Sequence, residues 1–363
     1  MKKENTHKVV AYGSNINSED WNKYVTRYAQ SDVEFKSLGK VIIPDYGLVF
    51  DKYAHSRKGG VANIRANKGS IAEAVLFDAN DEAIRLLRKK EGHPYHYEEK
   101  EIFVILEDGS EVKAKTYIYP VERSKEKFVQ PSNEYLNICR KGYQDHGLQS
   151  DPLEAAAVSF PIHQLEKCFF YGTLMRCEVR SNLMSDMGVD SVIRGKIRGS
   201  LSTNGSFPGL DLKRDENFSK GELFTFYGNF QEILTTTDNI EGFKNFGDLK
   251  NYFRRTCVYV DTENNQKELA WVYVFDGHLG SDVHKNDWRL HTCTLYEFLE
   301  AVVDDFEAAV PDLDQIISKT ALKTDNFNLV ELLAKDEITE NQLQSFSGYR
   351  TAALGFQLYG EPV

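Results

Sequence analysis

The chain has 363 residues, 41% hydrophobic and 12% aromatic, which is enough for two packed domains. Its formal net charge of -11 argues against a general nucleic-acid or anionic-membrane surface, because such surfaces need clustered Lys and Arg. The five cysteines, Cys139, Cys168, Cys177, Cys257 and Cys293, are odd in number and form no close CxxC pair, which argues against a disulfide framework and a zinc site. The start, Met1 to His7, is polar and lacks the apolar core of a signal peptide, and no run approaches the ~18 apolar residues of a membrane span. The expectation is a soluble, cytoplasmic protein with no membrane and no nucleic-acid partner.

In chain order, Val9-Val10-Ala11 reads as a strand that runs into Tyr12-Gly13-Ser14-Asn15. Val41–Ile43, Gly47–Phe50 and Ile71–Phe77 read as short strands between Gly and Pro signals. Asn80 is a good cap for a helix whose apolar stripe includes Ile84 and Leu87. Glu91 falls on that same stripe, and Gly92 and Pro94 stop the helix. Two strands, Glu101–Leu106 and Val112–Tyr119, flank a Glu107-Asp108-Gly109-Ser110 turn in the manner of a hairpin. Residues 149–165, with Asp151-Pro152 and Phe160-Pro161, read as a linker.

The second half repeats the order. Cys168–Phe170 leads into Tyr171-Gly172-Thr173-Leu174, and strand-like runs surround residues 195–199 and 221–226. A helix with Phe230, Leu234 and Thr237 on one face then brings Glu241 onto its stripe, with Gly242 as the stop. Strands follow at Arg255–Val260 and Ala270–Phe275. From residue 281 to 363 the pattern is helical. Thr294 with Glu297 forms a capping box, and Leu295, Phe298, Leu299, Val302, Val303 and Phe306 form an apolar stripe.

The repeat carries the chemistry. Each Tyr-Gly-Ser/Thr loop ends a strand, and each is answered by a Glu-Gly pair 79 and 70 residues after its tyrosine. A strand that ends in Gly and a hydroxyl residue turns sharply with its N–H groups outward, a nest for carboxylate or phosphate; the plainer reading of one such tetrapeptide is a tight turn. A carboxylate on the apolar stripe of a helix is partly desolvated, which raises its pKa toward that of a general acid/base; a lone one more simply reaches solvent. Two copies in the same register favour the functional reading of both. His93 and His96 beside Glu91 read as a solvated loop rather than metal ligands, no G-x-S-x-G nucleophile elbow is present, and Gly59-Gly60 reads as a turn.

These residues carry a family resemblance. Residues 8–148 resemble the gamma-glutamylcyclotransferase superfamily through Ala11–Asn15, Gly60-Val61-Ala62-Asn63-Ile64, Leu87–Gly92, Tyr97, and Pro131–Leu136 with Gly142 and Gly147-Leu148. Residues 166–280 resemble its gamma-glutamylamine cyclotransferase-like branch through Phe170–Met175, Phe207–Leu210, Gly221–Leu223, Asp238–Phe243 and Tyr252–Arg255. The resemblance implies an α+β fold: two consecutive small mixed β-barrels, here followed by a helical C-terminal extension over 281–363. It implies that the loop amides hold the α-carboxylate of a γ-glutamyl group. A glutamate then moves protons while the α-amine attacks the γ-carbonyl, which releases 5-oxoproline and a free amine or amino acid. It implies no metal and no cofactor. Carried over residue by residue, Glu91 and Glu241 are the acid/base candidates. Tyr12, Gly13, Ser14, Asn15, Tyr97 and Tyr135 are substrate-binding candidates in the first domain, and Tyr171, Gly172, Thr173, Leu174 and Tyr252 in the second.

The tandem layout departs from the single-domain members of the family, so one domain working and the other serving as a binding or structural partner is left open. A non-catalytic module for a small anionic ligand is the alternative function. The C-terminal helices offer a third role, as a protein contact or dimerisation surface.

Overall fold

The computed structural model describes residues 6–289, apart from 126, 163, 177, 179 and 186. It divides into two compact units. The first comprises the chain through Leu165 with Phe230–Ile240 and Lys244–Asn251; the second comprises Glu166–Asn229, Glu241–Phe243 and the chain from Tyr252 on.

The first unit opens with strand β1 (His7–Ala11), whose Val9, Val10 and Ala11 are all buried. Helix α1 (Ser18–Tyr28) follows, capped by the Asn17 side chain, which accepts from the Asp20 amide. Strands β2 (Phe35–Ala54) and β3 (Gly59–Ala79) then pair as one long antiparallel hairpin. The two short strands expected before and after Pro44 are therefore one. Asp45, at φ 58°, absorbs the break as a local irregularity in the ladder, and Pro is tolerated at such places because no ladder donor is lost there.

Helix α2 (Asp81–Glu91) begins where Asn80 accepts from the Ala83 amide and ends at Gly92 in the left-handed conformation. Its apolar side, Ala83, Ile84, Leu86 and Leu87, is buried in the first core. Strands β4 (Glu98–Ile105) and β5 (Glu111–Ile118) form the expected hairpin. The sheet closes as a barrel in the order β1-β3-β2-β4-β5, with β1 parallel to β5 at Val9 and Lys115. Closure leaves no free sheet edge. Helix α3 (Asn133–His146) packs Tyr135, Leu136, Cys139 and Tyr143 into the same core.

The stretch expected to be a linker is structured. Helix α4 (Asp151–Ala157) accepts Pro in its first turn, and Leu153 and Ala157 join the first core. Gln164 makes a bridge to Ser70 in β3. The Asp151-Pro152 pair points to a linker, but at the start of a helix the missing N–H of proline costs nothing.

The second unit repeats the topology. Strand β6 (Lys167–Phe170) takes the place of β1. A short helix α5 (Asn182–Ser185) precedes β7 (Val189–Arg198), β8 (Ser200–Thr203), β9 (Pro208–Asp211) and β10 (Phe218–Phe226). Helix α6 (Phe230–Glu241) follows in the chain, grouping with the first unit in all but its last residue, with Phe230, Leu234 and Thr237 buried as their spacing predicts. Strands β11 (Arg254–Thr262) and β12 (Lys267–Val274) complete a closed barrel in the order β10-β6-β12-β11-β7. β6 is parallel to β12 at Cys168 and Trp271, as β1 is to β5. With β6, β10, β7, β11 and β12 standing for β1, β3, β2, β4 and β5, the two barrels have the same strand order.

Strand β13 (Ser281–Asp282) pairs with β8 in a three-stranded sheet, so residues 281–282, expected to be helical, are a sheet edge. Residues 283–289 continue with a 3-10 turn at His284–Asn286, and the expected extension from residue 290 on, including Thr294, Glu297 and the stripe through Phe306, lies outside the described residues. Among the described residues no helix is long and apolar enough to cross a membrane.

Candidate active site

Strand β1 ends at Ala11 and the chain turns at once. The Ile16 amide donates to the Gly13 carbonyl at 3.2 Å, which closes one helical turn over Ser14–Ile16. Gly13 is needed for this approach, because a Cβ there would stand 3.0 Å from the Ala62 Cβ. The second unit makes the same turn after β6. The Met175 amide donates to the Gly172 carbonyl at 3.0 Å, and a Cβ on Gly172 would meet Pro208 at 2.7 Å.

In the first unit Gly13, Ser14 and Asn15 line a cavity of about 680 Å³, together with Tyr12, Tyr97, Tyr135 and Glu91. All seven residues assigned to this site from the sequence therefore share one cavity. The three tyrosines are buried and tied to the barrel. Tyr12 donates to the Tyr117 carbonyl, and Tyr97 donates to the Ala62 carbonyl at 3.0 Å. The Tyr135 hydroxyl accepts from the Ala62 amide at 3.2 Å and is hydrogen-bonded to the Ser14 side chain. Burial holds all three phenols well above their ordinary pKa, so they remain neutral donors and acceptors.

Glu91 closes the arrangement. It is the last residue of α2, and the left-handed Gly92 lets the chain leave without covering it. Asn15 Nδ2 donates to Glu91 Oε1 at 2.6 Å. Glu91 keeps some surface because it faces the cavity, yet the protein around it is dense enough for burial to raise its pKa. The Asn15 hydrogen bond and the charges of Lys90, Lys52 and Arg57 oppose that rise. Lys90 Nζ and Arg57 Nη2 both reach Asp20 Oδ2, at 2.8 and 2.7 Å, so one carboxylate anchors two of the three cations.

The loop after α2 is also fixed. Arg123 Nη1 donates to the carbonyls of Pro94, Tyr95 and His96 at 3.1, 3.2 and 3.0 Å. His93 Nδ1 accepts from the Glu99 amide at 3.2 Å, so it is part of this turn.

In the second unit Tyr171 repeats Tyr12. It donates to the Tyr273 carbonyl at 2.6 Å, and its oxygen accepts from the Leu210 amide at 3.3 Å. Glu241 repeats Glu91 at the end of α6, before the left-handed Gly242. Burial pushes its pKa up to about 7, opposed by Arg180. Thr173 and Leu174 are both buried, and Leu174, at the position of Asn15, has no group to donate to a carboxylate. Tyr252 is half-exposed beside Gly242, with its ring 5.9 Å from that of Phe207, a rim position rather than an enclosed one.

Lys52, Arg57 and Arg123 were not singled out from the sequence. Lys52 carried no local signal, because its direction is set by a break in strand register between Phe50 and Lys52. Arg57 was visible only as part of a basic pair before two glycines.

Comparison with known proteins agrees with the repeat. The family model for gamma-glutamyl cyclotransferase, AIG2-like, matches residues 9–137 and 168–290. No curated protein matches the chain. Among solved structures, the uncharacterized protein loc79017 from Homo sapiens is 21% identical, with a TM-score of 0.37, over 44% of this chain and 90% of that one. YkqA from Bacillus subtilis is 23% identical, with a TM-score of 0.36, over 45% of this chain and 58% of its own. A yeast gamma-glutamyl cyclotransferase specific to glutathione is 14% identical, with a TM-score of 0.29, over 42% and 94%. Two matched segments that together span well over half of the residues, each covering a barrel with its loop and glutamate, place the chain in the gamma-glutamyl cyclotransferase, AIG2-like family.

Proposed function

We propose that the protein converts a γ-glutamyl compound to 5-oxoproline and a free amine or amino acid, with Glu91 as the proton carrier of the first site and Glu241 as that of the second. The observation that carries the reading is the Asn15–Glu91 hydrogen bond of 2.6 Å, which fixes a carboxylate of raised pKa against the nest formed by Gly13, Ser14 and Asn15. The loop amides bind the α-carboxylate of the γ-glutamyl group. Glu91 takes a proton from the α-ammonium, and the freed nitrogen attacks the γ-carbonyl carbon of the same molecule. A five-membered lactam forms as the bond between that carbon and the departing nitrogen breaks. The α-nitrogen enters with three protons and ends with one. Two protons therefore pass through Glu91 to the departing nitrogen, which leaves as an ammonium. The nucleophile is already tethered to its electrophile, so the protein supplies position and proton transfer.

A carboxylate at its ordinary pKa is a poor base at neutral pH, and burial of Glu91 and Glu241 moves both in the useful direction. The test is mass-spectrometric detection of 5-oxoproline from a panel of γ-glutamyl amines and γ-glutamyl amino acids. Wild type is compared with Glu91→Gln, Glu241→Gln and the double variant. Loss of product in one single variant identifies the working site. Turnover that persists in the double variant refutes the assignment.

A further inference from the structure

We propose that Asp20 is a positioning residue of the first site: by taking Arg57 and Lys90 as its own partners it keeps both cations beside Glu91 but off it. The Glu91 carboxylate is then free to accept a proton from the substrate, so the role rests on the cyclotransferase reading of that site. Asp20 lies in the first turn of α1, where its amide donates to Asn17 Oδ1 at 2.9 Å and fixes the backbone that carries it. Its Oδ2 accepts from Arg57 Nη2 at 2.7 Å and from Lys90 Nζ at 2.8 Å. One oxygen joins three elements: α1, the turn at His55–Arg57, and the last turn of α2, where Lys90 directly precedes Glu91.

The spatial order of these groups carries the proposal. Arg57, Lys90 and Glu91 line the cavity of about 680 Å³, and Asp20 does not. A second hollow, of about 700 Å³, is lined by Asp20, Arg57 and Lys90, and Glu91 is not part of it. The two cations are the wall that both hollows share, with Asp20 on one side and Glu91 on the other. Aromatic rings flank them there. The Lys90 ammonium lies 5.6 Å from the centre of the Tyr24 ring, and the Arg57 guanidinium 5.5 Å from that of Tyr135. Among the described residues neither cation forms an ion pair with Glu91, whose hydrogen bond comes from Asn15.

The side chains of Lys90 and Arg57 are 11% and 25% exposed, so both cations are largely withdrawn from water and need a counter-charge. Asp20 stays ionised to supply it: burial pushes its carboxyl up, but the bonds from Arg57 and Lys90 hold it below its ordinary value. Burial raises the Glu91 pKa, and from their present positions the two cations offset only part of that rise. Glu91 is the only carboxylate among the residues that line the cavity. With Asp20 neutral, it is the carboxylate on that wall to which Lys90 and Arg57 turn. A carboxylate in direct contact with a cation holds its proton more weakly and is a poorer base.

The test isolates the first site in a Glu241→Gln background and follows kcat/KM against pH for the γ-glutamyl compound of the panel that is converted fastest. Asp20→Asn is expected to move the acid limb down by about 1–2 in pH and to lower the plateau about three- to tenfold. Asp20→Ser, also uncharged, is the second variant and moves the limb the same way; Asp20→Glu keeps the charge and the wild-type limb. Lys90→Met moves the limb up, and further in the Asp20→Asn background than in the wild-type one, because only there does Lys90 contact Glu91. The Glu91 carboxyl titration follows the same order without substrate, read by carboxyl-carbon NMR of glutamate-labelled protein and assigned by its loss in Glu91→Gln. The other titratable groups that share the cavity with Glu91 are Tyr24 and Arg27 on α1, Lys52 and His55 at the end of β2, and Lys89 on α2. His96 and the phenols of Tyr12, Tyr97, Tyr117 and Tyr135 complete them, and all stay the same across these variants. An acid limb or a carboxyl titration that stays or moves up in Asp20→Asn and Asp20→Ser overturns the role of Asp20 and leaves the reaction standing. Equal Lys90→Met shifts in the two backgrounds do the same, since a merely structural Asp20 gives that result. No 5-oxoproline from any member of the panel overturns the reaction and the role together.

Discussion

Replacing Glu241 with Gln separates the cost of the second carboxylate from any activity it has. Its pKa rises from an ordinary 4.5 to about 7 because burial penalises the charged form. The folded state therefore binds the proton more tightly than the unfolded chain does. The penalty is absent below about 4.5 and complete above about 7, so stability falls as pH rises through that window. Each pKa step of one is worth about 1.36 kcal/mol, and the full rise corresponds to about 3 kcal/mol. Gln has the same size and no charge to desolvate. Glu241→Gln is expected to match wild type near pH 4.5 and to be more stable by about 2–3 kcal/mol at pH 8. Urea unfolding at the two pH values, followed by tryptophan fluorescence to which the buried Trp271 contributes, measures the difference. A wild-type-to-variant difference that is the same at both pH values refutes the burial argument for Glu241.

Three further substitutions probe the framework of the sites. Asn15→Leu copies the second unit into the first and removes the donor to Glu91; the acid limb of the kcat/KM profile is expected to move up by about 1–2 in pH, because loss of a bond to the carboxylate disfavours its charged form. Gly172→Ala places a Cβ 2.7 Å from Pro208 and is expected to cost about 1–3 kcal/mol in thermal or urea unfolding. Arg123→Ala frees the carbonyls of Pro94, Tyr95 and His96 together; faster hydrogen exchange over residues 92–99 and a higher KM are expected, and unchanged exchange refutes its role as the clamp of that loop.

The legible part of this fold was the part written in periodicity. The stripe of Ile84, Leu87 and Glu91 and that of Leu234, Thr237 and Glu241 each mark a helix whose last residue is the proposed proton carrier. The Asn80 cap and the Gly92 stop fix the ends of the first helix by local chemistry. Barrel closure was not legible from composition or spacing. It depends on the parallel pairing of β1 with β5 and of β6 with β12, between residues more than 100 apart in sequence. The length of the first hairpin was hidden for a different reason. Pro44 and Asp45 look like a strand boundary, and only the pairing across the ladder shows that the strand continues. Lys52 was hidden by the same device, since a bulge changes the face of every later side chain without changing the residue types.

The two glutamates show how one layout yields two electrostatic settings. Both end a helix before a left-handed Gly, and both follow a tyrosine that donates to a carbonyl near the end of the last barrel strand. Around Glu91 stand one amide donor and three cations, each of which favours the ionised carboxylate. Around Glu241 the position of the amide donor is taken by the buried Leu174, and Arg180 is the cation that opposes burial. A base must be ionised to accept a proton, so the first site is equipped to work at lower pH than the second. The same donor that favours ionised Glu91 also fixes its direction, and Asn15 belongs to the loop proposed to hold the substrate carboxylate. In the proposed reaction, anion binding and proton transfer in the first unit are therefore joined through one side chain. In the second unit that link is absent, and the glutamate depends on the backbone after α6 for its position.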